Sequence, residues 1–137
     1  MAQMIFSQIS RSARRLFTAA AFVAAVNAAL VSPARSEEAD AQAQKDADAI
    51  WQSRCSTCHG AAGKGDGAAA AALNPKPRDF SSASWQSSVT DEHIEKIIAE
   101  GGQAVGLSML MPANPDLASK PEVIKALRAH VRSLGGH

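Results

Sequence analysis

Cys55 and Cys58 are the two cysteines of a 137-residue chain, and they stand three apart in Cys55-Ser56-Thr57-Cys58-His59-Gly60. A disulfide across two intervening residues closes a very short loop, restrains little of the unfolded chain and makes a poor staple. A redox dithiol of the thioredoxin kind expects strands and a βαβ pattern around it, and no segment here alternates apolar and polar residues. A structural zinc site usually takes four cysteine or histidine ligands. Outside the motif the chain offers only His93, His130 and His137, with no second pair at ligand spacing.

The remaining reading of C-x-x-C-H is covalent haem attachment. Two thiols three apart on a helical turn lie on one side of it and reach two vinyl groups at one porphyrin edge. The next side chain then lies under the ring plane, where its imidazole binds iron. Cys55 and Cys58 are therefore expected to form the thioethers of one haem c and His59 to be the proximal iron ligand, with Gly60 letting the chain bend away. A covalent group of this size also gives a small domain with few aromatic residues an apolar centre it lacks.

Such attachment belongs to an oxidising compartment, and the N-terminus is laid out for export. Arg11, Arg14 and Arg15 precede the apolar run Leu16–Val31, and Ala34 and Ser36 are small residues at a cleavage position. Basic start, apolar middle and small-residue site make an export signal over residues 1–36. The apolar run is shorter than the ~20 residues of a spanning helix and is interrupted by Thr18 and Asn27, so no membrane span is expected after cleavage. Arg14-Arg15 partly matches a twin-arginine signal, with Ala13 where Ser or Thr is usual, and the export route stays open. The expected location is the periplasm. Without residues 1–36 the chain keeps ten basic and all thirteen acidic side chains, net −3, which argues against a nucleic-acid partner.

Three organising segments follow. Residues 37–44 read as a frayed lead-in to a domain over 45–137, whose first helix, from about Asp40, places Ala43, Ala47, Ile50 and Trp51 at spacings of three and four and runs into Cys55. After a glycine-rich loop and the extended Asn74-Pro75-Lys76-Pro77, the serine-rich stretch around Trp85 reads as loop. Gly-Lys-Gly-Asp-Gly at 63–67 lacks the spacing and preceding strand of a phosphate loop. Thr90, followed by Asp91 and Glu92, suits a helix start; Ile94, Ile97 and Ile98 give that helix its apolar face and Gly101 stops it. The last helix begins at Pro121 and buries Val123, Leu127, Val131 and Leu134. The class is all-α.

The second iron ligand is sought among soft thioethers. Met109 and Met111 both lie between the last two helices, and Met111 is favoured because Pro112 and Pro115 stiffen the backbone after it. The methionine that does not bind reads as core filler. His93, in a first helical turn beside two acids, is expected to be exposed, and His130, on an apolar face, to be structural.

Cys55-x-x-Cys58-His59 after one helix, with Met111-Pro112 late in the chain before another, resembles a class I c-type cytochrome over about residues 45–134, and GGQAVGLSMLMP resembles the sixth-ligand loop of small periplasmic members. The resemblance implies the cytochrome c fold, three to four short helices wrapped around one covalent haem. It also implies a tight crossing of the first and last helices through a glycine and two aromatics. Ala47, Trp51 and His130 stand at those places, so Ala47 and His130 depart from the pattern. It further implies that a proline carbonyl, of Pro75 or Pro77, accepts a hydrogen bond from the proximal imidazole. Phe80 and Trp85 wall the haem, meet a propionate or simply pack the core. The function implied is single-electron transfer by a monomer between redox proteins bound transiently, without catalysis of its own. The alternatives are a haem subunit of a dehydrogenase or reductase complex and a haem enzyme or sensor with an open iron position.

Overall fold

The first helix, α1 (Pro33–Ile50), already extends beyond its expected start. Residues 37–44 continue it rather than fray: Gln42 and Gln44 donate to Asp46 (2.8 Å) and Asp48 (2.9 Å) one turn on, pairs that support a helix, and Ala43 is buried in the core. The computed structural model describes residues 33–135. Residues 1–32, most of the expected export signal, lie outside them. Residues 39–137 make one compact unit. Every regular element among the described residues is helical, as the expected all-α class requires, and no helix there is long and apolar enough to cross a membrane.

A π-turn (Trp51–Cys55) leads from α1 into the short α2 (Ser56–His59). The serine-rich stretch expected to be loop holds a helix, α3 (Ala83–Ser88). Ser82 caps it, accepting from the Trp85 amide at 3.4 Å. Gln86 docks it, its Nε2 donating to the carbonyls of Phe80 (2.8 Å) and Val131 (2.9 Å). Serine favours caps and turns over helix interiors, so composition hid an element that distant partners hold.

α4 (Asp91–Glu100) starts as expected, Thr90 Oγ1 accepting from the His93 amide at 3.2 Å, and buries Ile94 and Ile98. α5 (Pro121–Ser133) buries Val123, Leu127 and Val131. The two are tied by partly buried ion pairs: Arg132 Nε reaches Asp91 at 2.8 Å and Arg128 Nε reaches Glu95 at 3.2 Å. Arg132 also donates to the Gln86 and Val89 carbonyls, each at 2.7 Å, and so joins α3 to the same corner.

Both departures from the expected pattern are accommodated in the fold. Ala47 is only 1% exposed and belongs to the core that Val123, Leu127 and Val131 of α5 also build. His130 takes an aromatic's place, its ring centroid 4.4 Å from that of Trp51. Its Nε2, like Trp51 Nε1, is buried without a hydrogen-bond partner among the described residues. Burial holds the His130 pKa below the ordinary value, with Asp48 acting the other way. The unfolded chain therefore takes up a proton first as pH falls below ~6.5, and the stability tied to neutral His130 is lost as pH falls from there through its folded pKa. His130→Phe is expected to flatten that acid limb and to add about 1 kcal/mol by removing an unpaired buried polar atom. Thermal midpoints of the haem-loaded variant and parent measured across this pH range check both effects.

Candidate functional site: a cavity between His59 and Met111

The attachment motif begins in the π-turn. The Ser56 amide reaches back to the Trp51 carbonyl, one residue further than in an α-helix, which turns Cys55 away from the register a continuous helix would give it. π-turns inside helices often mark functional sites, and nothing local in the sequence announced this one. Cys55 and Cys58 are free, half-buried thiols. The glycine-rich loop then folds back over the motif and satisfies its carbonyls: Gly65 donates to His59 (2.8 Å), Gly67 to Cys58 (3.1 Å) and Ala69 to Thr57 (2.9 Å). A Cβ on Gly67 would collide with the carbonyls of Ser56 and Thr57, so that approach requires glycine.

His59 Nδ1 lies 3.1 Å from the Arg78 carbonyl. A carbonyl only accepts, so Nδ1 carries the proton and Nε2 keeps the lone pair a metal needs. This corrects the expectation of a Pro75 or Pro77 carbonyl. The Phe80 amide donates to Gly63 at 2.7 Å and lays the segment alongside the loop. The Pro77 carbonyl then sits against Gly65, 2.5 Å from where a Cβ would be, and the carbonyl one residue on meets His59. Burial lowers the His59 pKa, with the Arg78 hydrogen bond acting the other way. Phe80 stacks on the imidazole, centroids 4.5 Å apart at 17°.

Two cavities, of about 520 and 240 Å³, meet at this imidazole. Cys55, His59, Arg78, Leu107, Met111 and Asn114 line both. The larger is walled by Ile94, Ile97, Ile98, Leu127 and Val131, the apolar faces that α4 and α5 turn inward; the smaller reaches Cys58 and Leu110. Met111 is half-buried, whereas Met109 is 70% exposed and lines neither. The Met111 loop is pinned at both ends: Gly102 donates to the Met111 carbonyl (3.0 Å) and Asn114 to that of Ala99 (3.0 Å). His93 is exposed as expected, though it lies on the rim of the larger cavity, and His130 lines neither. Phe80 and Trp85 wall the larger cavity and touch each other, centroids 5.1 Å apart.

The donor set fits haem. A tautomer-fixed imidazole and a thioether border the same two cavities, with the free thiol of Cys55 at their shared edge and that of Cys58 on the smaller one. The larger cavity falls in the ~300–1,000 Å³ range of cofactor sites.

Comparison with curated proteins gives no match. The family model described as Cytochrome c matches residues 44–135, from α1 through the attachment motif and the Met111 loop to the end of α5. Motif, helical frame and cavity thus agree over most of the chain, which belongs to the cytochrome c family.

Proposed function

We propose that this chain is an exported, periplasmic monohaem electron carrier. The observation that carries the reading is that His59 and Met111 border the same pair of cavities, with Cys55 at their shared edge and Cys58 on the smaller one. When bound, haem supplies a one-electron iron couple. Cys55 and Cys58 would fix it covalently, and His59 Nε2 and the Met111 sulfur would hold its iron. Arg78, through its carbonyl, fixes the tautomer and orientation of the imidazole, a second contact of the kind that tunes a bound metal. Ile94, Ile98, Leu127 and Val131 keep water from the larger cavity. With both of these residues on the iron there would be no place for a substrate, which separates a carrier from a haem enzyme. Pairing histidine with methionine raises the potential and suits transfer between proteins. Partners are redox proteins, bound through small, transient contacts.

One observation favours the second reading, a haem subunit of a larger oxidoreductase. Leu107, Met109 and Leu110 are exposed side by side in sequence, and Leu107 and Leu110 line the smaller cavity. A permanent subunit would copurify with its complex, whereas a carrier leaves the native periplasm as a monomer.

The spectrum tests the carrier reading. The oxidised protein is expected to show the weak near-infrared band of methionine ligation, and the reduced protein to leave added carbon monoxide unbound. Immediate carbon monoxide binding would instead assign an enzyme or sensor.

A further inference from the structure

Arg54 stands one residue before Cys55, and its guanidinium reaches sixty residues along the chain. Nη1 donates to Asp116 Oδ1 (3.0 Å) and Asn114 Oδ1 (3.3 Å), and Nη2 donates to Asp116 Oδ2 (2.9 Å). The carboxylate is thus gripped by a two-toothed fork, the arrangement in which arginine adds orientation as well as attraction. Asn114 is held from its other end too, Nδ2 donating to the Ile98 carbonyl at 2.7 Å. Both ends of its carboxamide are engaged, so the group has one orientation, and it lines both cavities beside Met111. The fork joins the attachment turn to the loop that carries Met111, two segments that no shared helix connects.

Arg54 and Asp116 are 46% and 49% exposed. An exposed pair adds little to global stability, so its effect is expected on the loop it aims. We propose that Arg54 is a positioning residue: by gripping Asp116 and Asn114 it holds the 111–116 loop against the attachment turn and keeps the Met111 thioether on the iron. The inference rests on the His59–Met111 reading above.

The test titrates the oxidised, haem-loaded protein with imidazole, which competes with Met111 for the iron, and follows loss of the near-infrared band. Arg54→Ala is expected to bind imidazole about fivefold more tightly, the equilibrium equivalent of one well-formed exposed pair. Arg54→Lys should fall between, because an ammonium lacks the fork, and Asp116→Asn should match Arg54→Ala. The exchanged pair Arg54→Asp with Asp116→Arg should recover part of the loss. Lys125→Ala, which breaks the exposed pair with Glu122 on α5, should leave the titration unchanged. Imidazole affinity unaltered in both Arg54→Ala and Asp116→Asn overturns the positioning role, as does an equal rise in Lys125→Ala. A parent protein without the band fails differently, since it removes the methionine-ligand reading and the positioning role with it.

Discussion

Serine at both Cys55 and Cys58 is expected to leave a protein that gives up all its haem to acidified acetone, while the parent polypeptide keeps its colour. Acid would break the iron's bonds to His59 and Met111 in either protein. His59, held neutral by burial in the fold, gains water and a proton once the chain opens, and a protonated imidazole is no ligand. Thioethers do not titrate, so haem retained after this treatment is retained by Cys55 and Cys58. Mass spectrometry of the parent should show the polypeptide plus one haem, and the double variant the polypeptide alone. Either single serine variant should keep the adduct through its remaining bond. A parent lacking the added mass would end the account. The same double variant should also lose its sharp thermal transition. The walls of the 520 Å³ cavity face one another across space that haem is expected to fill.

Elements whose signals lie within a few residues were legible in the sequence. Thr90 with its two acids marked the start of α4, Pro121 that of α5, and the spacing of Ile94, Ile97 and Ile98 the face that walls the cavity. The attachment motif was legible because its chemistry is local: two thiols and an imidazole within five residues. What escaped depends on partners far along the chain. α3 is held by Gln86 and Arg132, 46 residues apart. The carbonyl that orients His59 comes from Arg78 rather than a proline because Gly63 and Gly65 set how the returning strand of chain lies. The Arg54 fork spans 62 residues to Asp116, and no periodicity announces such a pair. Ala47 and His130, which depart from the family pattern, sit where a buried small side chain and a flat ring against Trp51 are both still obtained.

Met111→Ala is expected to keep haem and lose the near-infrared band, whereas Met109→Ala keeps both. The two thioethers are two residues apart, yet their surroundings differ in the way that matters for ligation. Met109 is 70% exposed, so its sulfur stays in water. Met111 borders both cavities, its carbonyl held by the Gly102 amide at 3.0 Å and its loop by Asn114 on Ala99. Removing Met111 would take a soft, weakly donating thioether from the iron and leave water or nothing in its place. The reduction potential should then fall by roughly 100 mV or more, a fraction of the ~0.8 V that axial ligands span, because methionine favours the reduced ion. The reduced variant should also bind carbon monoxide at once, which the parent should not. If Met109→Ala produces these changes and Met111→Ala does not, the loop must rearrange when haem binds, turning an exposed thioether inward against the hydrogen bonds that now hold Met111 in place.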